Sequence, residues 1–214
     1  MVYEQITEMV INGKNRPGVN LYWGWELDFL TNIQNLHNPV LDVIMKIFTT
    51  LGEAGLLWIA ISIVLAIIPK TRKCGFTMML SMILTLAIGN GILKNVLARM
   101  RPCWVYDLSQ IGKEMLIKLP KDYSFPSGHT MNGVTASMVI LFYSVKNKKT
   151  ILAGIGAVLM AAIIAFSRMY LFVHWPTDIM VGALVGLVDA IISFFVMKKV
   201  YPIITAKIAA KKNK

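Results

Sequence analysis

The sequence of 214 residues is poor in charged side chains, in acidic residues and in cysteine. Charged residues make up 15% of the chain and hydrophobic residues 56%, whereas soluble domains average about 25% and about 45–50%. This composition excludes most soluble folds, and the abundance of apolar side chains excludes intrinsic disorder. The two cysteines, Cys74 and Cys103, are too few to define a disulfide framework.

Five long apolar segments account for the mean hydropathy of +0.62. They cover approximately residues 50–69, 75–97, 130–145, 150–168 and 177–197. A transmembrane helix needs roughly 20 residues at about 1.5 Å each to cross about 30 Å of hydrocarbon. Helices are the expected structure because backbone groups in lipid must bond within their own segment. The sequence therefore predicts an all-α integral membrane bundle.

The first 48 residues are less apolar, and their pattern predicts two amphipathic helices separated by Asn38-Pro39. The apolar positions at helical spacing are Leu27, Leu30, Ile33 and Leu36, then Val40, Ile44, Ile47 and Leu51. Glu26 is assigned to a polar helix face. One of these helices could serve as a tilted sixth span, so we expect five to six transmembrane helices in total.

The predicted organisation is an amphipathic N-terminal segment, residues 1–48, followed by one membrane-embedded domain, residues 49–214. Glu4 and Glu8 occupy the region where a signal peptide would need an apolar stretch, so no signal peptide is expected.

Basic residues outnumber acidic ones by 22 to 11, and their positions predict an orientation. Twelve of them lie in three acid-free joints, residues 70–73, 146–149 and 198–214, which follow the first, third and fifth apolar segments. Such joints are retained in the cytoplasm, so we expect a cytoplasmic C-terminus in the plasma membrane. Because these joints are short and flank apolar spans, no nucleic-acid partner is expected. Cys74 and Cys103 then lie on opposite sides of the bilayer, which excludes a disulfide between them.

Three polar motifs fall on the opposite, extracytoplasmic face. They are Lys94-x6-Arg101-Pro102, Pro126-Ser127-Gly128-His129 and Ser167-Arg168-x5-His174-x3-Asp178. Lys94 and Arg101 are nearly two turns apart, so a helix would project both from one side, and Pro102 would end that helix. Ser127 is a predicted N-cap at a helix start whose free N–H groups can bind an anion. Pro176 suits the first turn of the last helix.

Taken singly, each motif has an ordinary structural explanation, such as a snorkelling cation, a helix cap or a structural histidine. Together they bring three cations, two histidines, one carboxylate and a helix N-terminus to one face. Several fixed cations and backbone donors are what a phosphate group needs. The combination therefore predicts a phosphate site.

The three motifs resemble those of the type 2 phosphatidic acid phosphatase (PAP2) superfamily, in order, spacing and every fixed residue. The resemblance covers about Thr49 to Met197. It implies that His174 attacks phosphorus, that Asp178 orients His174, and that His129 serves as general acid and then general base. It also implies that phosphate is bound by Lys94, Arg101, Ser127, Gly128 and Arg168. Since this face carries no cluster of acidic metal ligands, we expect a metal-independent reaction without a cofactor.

The expected partners are the lipid bilayer and a lipid phosphate or diphosphate, with undecaprenyl diphosphate as first choice by analogy with compact bacterial members. Phosphatidylglycerophosphate, phosphatidate and diacylglycerol diphosphate remain alternative substrates. A non-catalytic protein that binds lipid phosphate is the alternative of a different class. The sequence leaves the oligomeric state open.

Several residues near the motifs carry weaker expectations. Arg99 is assigned, with Lys113, Lys118 and Lys121, to a solvated surface that could attract anionic headgroups. Trp175 could sit at the lipid boundary. Asp189, Asn90 and Asn132 are expected to form a hydrogen-bond network beneath the site that holds the helices in register.

Overall fold

Helices account for nearly all regular structure in this protein. A computed structural model describes residues 18–145 and 148–212. Its helices are α1 (Gly24–Gln34), α2 (Pro39–Leu51), α3 (Leu56–Ile67), α4 (Arg72–Thr85), α5 (Lys94–Leu97), α6 (Pro102–Val105), α7 (Gly128–Ser144), α8 (Ile151–Tyr170) and α9 (Pro176–Lys212). A π-helical segment, Leu86–Leu93, joins α4 to α5. The predicted all-α class is confirmed.

Among the described residues, three helical stretches are long and apolar enough to cross a membrane: Arg72–Leu97, Ile151–Tyr170 and Pro176–Lys211. A fourth is obtained if Pro39–Leu51 and Glu53–Ile67, which are bent by 44°, count as one span. Helix α7 has 17 residues, or about 25 Å at 1.5 Å per residue, somewhat less than the hydrocarbon thickness. The protein is thus a multi-pass membrane protein, and the number of five to six spans stays a prediction.

Helix α7 packs closely against α9, and glycine makes this contact possible. A Cβ added to Gly186 would lie 2.7 Å from the carbonyl oxygen of Met131, and one added to Gly182 would lie 3.0 Å from that of Ser127. The two glycines therefore form the small-xxx-small helix contact that their spacing indicates. This packing brings the start of α7 beside the start of α9.

The N-terminal helices pack onto the rest of the chain. Leu30 and Ile33 of α1 and Met45 of α2 belong to the same buried cluster as Tyr170 and Trp175. Glu26 is fully buried, so its assignment to a polar surface is wrong. Its carboxylate is compensated by an ion pair with Arg99.

Some predictions concern positions that are not described or not decided by the fold. Glu4 and Glu8, two residues of the 146–149 joint and the last two residues of the C-terminal joint lie outside the described residues. The predicted boundary between residues 48 and 49 falls within α2 and stays a prediction. Cys74 and Cys103 are both buried and free of disulfides.

Candidate active site

A cavity of about 590 Å³ lies where the start of α7 meets the α8–α9 junction and the loop before α7. Six of the eight residues predicted to form the site line it: Lys94, Arg101, Gly128, His129, Arg168 and His174. The other two, Ser127 and Asp178, are fully buried and lie behind this lining. The fold therefore brings all three motifs to one place.

Lys94 and Arg101 reach the cavity by a route that differs from the prediction. Helix α5 ends at Leu97, and Ala98 adopts a left-handed conformation with φ 44°. The chain then runs extended to Arg101, and Pro102 begins α6 instead of ending the preceding helix. The prediction of one continuous helix is wrong because a left-handed residue cannot continue a right-handed helix, whereas proline fits a first helical position.

A tight turn sets the distance between Arg168 and His174. Phe172 has φ 58°, the N–H of Val173 donates to the carbonyl of Arg168 at 3.1 Å, and the N–H of Phe172 donates to that of Met169 at 3.0 Å. These bonds form a Schellman motif, which reverses the chain immediately after a helix. A bulky residue in this conformation is strained by about 1–2 kcal/mol. The turn returns the chain so that His174 lies on the cavity that Arg168 also lines.

His174 is held on both sides of its ring. Its Nδ1 lies 3.3 Å from Asp178 Oδ2, and its Nε2 lies 3.1 Å from Arg101 Nη1. Because a guanidinium can only donate, Nε2 must be the acceptor and Nδ1 must carry the proton. Burial, followed by the charge of Arg101, lowers the pKa of His174 well below its ordinary value. The imidazole is therefore neutral, and its lone pair is on Nε2, where it accepts from Arg101.

The start of α7 contributes a cap and an imidazole. Ser127 Oγ accepts hydrogen bonds from the N–H of Thr130 at 3.5 Å and from its hydroxyl at 3.0 Å, so Ser127 is the N-cap. Gly128 and His129 follow on the cavity wall. A Cβ added to Gly52 would lie 2.8 Å from His129 Cδ2, so glycine is needed there to leave room for the ring.

Arg168 has hydrogen-bonding capacity to spare. Its Nη1 donates to Thr49 Oγ1, but its buried Nε has no partner among the described residues. Buried donors are normally paired, and an unpaired one costs free energy.

Asp122, which the motifs do not include, forms ion pairs with two of the three cations of the site. Its carboxylate accepts from Arg101 Nη2 at 2.8 Å and from Lys94 Nζ, and its backbone oxygen accepts from Arg101 Nε at 2.7 Å. Burial would raise the pKa of Asp122, but Arg101 and Lys94 together lower it to about 2. An acid five residues before Ser127, in a loop facing several cations, is the sequence signal that could have identified it.

Two predictions about neighbouring residues are wrong. Arg99 is buried, with 3% of its surface exposed, and pairs with Glu26 and Asp178. Trp175 is fully buried away from lipid, its Nε1 donates to the carbonyl of Met100 at 2.8 Å, and its ring stacks on Tyr22. Both side chains turn inward because buried partners satisfy their polar groups.

In the part of the chain that the structure describes, no hydrogen bonds join Asp189, Asn90 and Asn132 into the expected network beneath the site. Asp189 accepts a hydrogen bond from Thr85 of α4 at 2.8 Å. Asn90 and Asn132 line the cavity instead, and Asn90 Oδ1 has no partner among the described residues. Lys118 and Lys121 also border the cavity.

Comparisons with known proteins agree with this geometry. The chain matches the PAP2 superfamily over residues 74–202, a range that contains all three motifs. It is 30% identical over 178 residues to an undecaprenyl-diphosphatase of Sulfolobus acidocaldarius, covering 83% of this chain and 78% of that protein. It is 32% identical over 173 residues to phosphatidylglycerophosphatase B of Bacillus subtilis, covering 76% of each.

A solved structure is similar as well. The crystal structure of Aquifex aeolicus LpxE has a TM-score of 0.62 and 28% sequence identity, and the match covers 80% of this chain and 96% of that chain. The family match extends over more than half of the sequence and includes every motif residue. This chain therefore belongs to the PAP2 superfamily.

Proposed function

We propose that this protein is a membrane lipid phosphatase that hydrolyses a lipid phosphate or diphosphate through a phosphohistidine on His174. One observation carries the proposal. His174 lines a cavity that three cations also line, its Nε2 accepts from one of them, Arg101, and its Nδ1 lies 3.3 Å from Asp178 Oδ2. A nucleophile activated by an orienting carboxylate is the arrangement that covalent catalysis requires.

In the first step, Nε2 of His174 bonds to phosphorus as the bond from phosphorus to the leaving oxygen breaks. His129 gives a proton to that oxygen, and Asp178 stabilises the positive charge that develops on the His174 ring. In the second step, a water molecule loses a proton to His129 and attacks phosphorus, and the N–P bond breaks to release phosphate. Lys94, Arg101 and Arg168, with Ser127 and Gly128, hold the remaining phosphate oxygens.

The reaction as proposed needs no metal. Among the described residues, His, Cys, Asp and Glu side chains form no group of three that could hold a metal ion. The charge of the phosphoryl group is instead balanced by Lys94, Arg101 and Arg168.

Undecaprenyl diphosphate is the proposed substrate, supported by the similarity to the Sulfolobus acidocaldarius undecaprenyl-diphosphatase. Similarity to phosphatidylglycerophosphatase B supports phosphatidylglycerophosphate as the second candidate. Phosphate release from purified undecaprenyl diphosphate, phosphatidylglycerophosphate, phosphatidate and diacylglycerol diphosphate in micelles would rank them. A preference for any of the last three would contradict the first choice.

His174→Ala separates an enzyme from a protein that only binds lipid phosphate. We expect the variant to lose all turnover, because the nucleophile is removed. It should keep the elution profile of the wild type in detergent, because the substitution leaves the fold intact. Phosphate binding without turnover by the wild-type protein would favour the non-catalytic alternative.

We also propose that the site faces the extracytoplasmic side and that the C-terminus is cytoplasmic. The acid-free basic joints support this orientation. In a bacterial host, a fluorescent protein fused after Lys214 should fluoresce, whereas alkaline phosphatase fused there should be inactive. The reverse pattern would contradict the orientation.

A further inference from the structure

A buried ion cluster lies behind the cavity and links the N-terminal helix α1 to the start of α9. It consists of Glu26, Arg99 and Asp178, whose side chains are 0%, 4% and 0% exposed. Neither Glu26 nor Arg99 lines the cavity, and neither has a step in the proposed reaction. Burying charges is costly unless they are paired and hydrogen-bonded, so the cluster needs a physical reason.

Arg99 is fixed in position by five contacts, one of which is the hydrogen bond that its Nη1 donates to Thr177 Oγ1 at 2.7 Å. Its Nη1 donates to Asp178 Oδ1 at 2.6 Å, its Nη2 donates to Glu26 Oε2 at 2.7 Å, and its Nε donates to the carbonyl of Leu21 at 2.6 Å. The guanidinium carbon lies 5.4 Å from the centre of the Trp175 ring. The planar group therefore has little freedom to rotate.

Asp178 uses its two oxygens for different tasks. Oδ1 accepts from Arg99, while Oδ2 accepts from the N–H of Trp175 at 2.8 Å and faces His174 Nδ1 at 3.3 Å. Holding Oδ1 thus sets the direction in which Oδ2 points. Glu26 Oε1 also accepts from the N–H and the hydroxyl of Thr177, at 3.2 and 2.6 Å, so Glu26 fixes the turn that carries Asp178.

Charge balance explains why a second carboxylate is present. Arg99 and Asp178 alone would sum to zero, and a neutral pair would stabilise a positively charged His174 ring only weakly. With Glu26, the cluster carries a net charge of −1 beside that ring at any pH at which Asp178 is ionised. This offsets the cations on the other side of His174, which are Arg101 at 3.1 Å, then Arg168 and Lys94, with His129 nearby.

We propose that Glu26 is a positioning residue for the phosphoryl-transfer reaction. Acting through Arg99, it holds Asp178 against His174 and supplies the negative charge that the imidazolium requires. Helix α1 is then a part of the catalytic unit. This inference rests on the proposed function of His174.

The test compares Glu26→Gln, Arg99→Gln and the double variant by pH profiles of kcat and kcat/KM for lipid phosphate hydrolysis in micelles. Glu26→Gln should lower kcat by about 10- to 100-fold, the range found when a partner behind a metal-ligating histidine is removed, and should leave KM within about threefold. Its acid limb should move to lower pH, because a negative charge near His174 is lost. Arg99→Gln should move that limb to higher pH, and the double variant should return it towards the wild-type position.

A purely structural role predicts a different result. It would lower the activity of each single variant without moving the acid limb, and the double variant would be the worst of the three. That outcome would overturn the proposal. A Glu26→Gln variant whose kcat and acid limb both equal those of the wild type would also overturn it. If Glu26→Gln cannot be recovered folded, Arg99→Gln and the double variant decide. The acid limb should move to higher pH in Arg99→Gln and return towards the wild-type position in the double variant, which leaves no unpaired buried charge from this pair.

Failure of the inference is distinguishable from failure of the proposed function. A wild-type protein that releases no phosphate from any lipid refutes the proposed function. The positioning role alone is refuted if the wild type is active, His174→Ala abolishes the activity and Glu26→Gln leaves it unchanged.

Discussion

Asp122 is expected to compete with phosphate for the cations of the site. Its carboxylate pairs with Arg101 at 2.8 Å and with Lys94, and a phosphate group would have to displace it from both. The Asp122 side chain is 53% exposed, so solvent screens each pair and its contribution is about 0.2–1 kcal/mol. Both pairs together contribute about 0.4–2 kcal/mol.

Replacing Asp122 by Asn removes this competition and keeps nearly the same shape. The backbone oxygen that accepts from Arg101 Nε is unchanged, so the guanidinium should remain in place. Since about 1.4 kcal/mol corresponds to a tenfold change in affinity, Asp122→Asn should tighten inhibition by orthovanadate by about 2- to 30-fold. Orthovanadate is a suitable probe because it has the shape and charge of phosphate.

The measurement is the inhibition constant of orthovanadate against lipid phosphate hydrolysis in micelles, at fixed pH and salt. Glu114→Gln is the matched control, because it removes an acidic charge from an exposed position of the same loop that does not line the cavity. We expect the control to equal the wild type. Unchanged or weaker inhibition of Asp122→Asn would refute the competition between carboxylate and phosphate.

Three further predictions concern pH, packing and metals. The rate should be bell-shaped in pH, since His174 must be neutral and His129 protonated, with an acid limb below about pH 6.5 because the pKa of His174 is lowered. Burial and the charge of Arg168 lower the pKa of His129 to about 3 in the free site, so His129 acts as an acid only once the negative charge of a bound phosphate raises that pKa, and the basic limb should appear in kcat. A flat profile from about pH 5 to about pH 9 contradicts these roles. Gly186→Ala should lower the melting temperature in detergent, because overpacking costs about 1–3 kcal/mol. Gly156→Ala is the control and should not lower it, because an added Cβ there meets no atom within 4 Å. Equal melting temperatures would show that α7 and α9 separate at low cost. Excess chelator should leave turnover unchanged, and activity restored only by an added divalent cation would overturn the metal-free reaction.

Local chemistry explains which expectations from the sequence were correct. The N-cap at Ser127 and the helix start at Pro176 depend on residues within one turn. The residue type at each position is enough to predict the helix start. The four-residue spacing of Gly182 and Gly186 likewise predicted the helix contact that they form. The positions of the basic joints indicated that the three polar segments share one face. The predicted route from Lys94 to Arg101 was wrong because no local signal marked the left-handed Ala98.

Side chains that pair over long distances in the sequence were assigned wrongly. Glu26 and Arg99 are 73 residues apart, and each looked like a surface residue because charged side chains usually are. Trp175 looked like an interfacial aromatic because tryptophan is enriched at membrane–water interfaces. Only the packing of α1 against the start of α9 shows that these groups are buried together.

Apolar segment length, basic joints and motif spacing were enough to predict a helical membrane protein with a phosphate site, because hydrophobicity and helix capping act between near neighbours. The partners of each charge were decided by the folded chain. The pairing of Asp122 with the cations and the position of Glu26 behind Asp178 depend on which surfaces pack together in the folded chain. Packing removes water from these groups, and a charge pair is stronger where water is excluded.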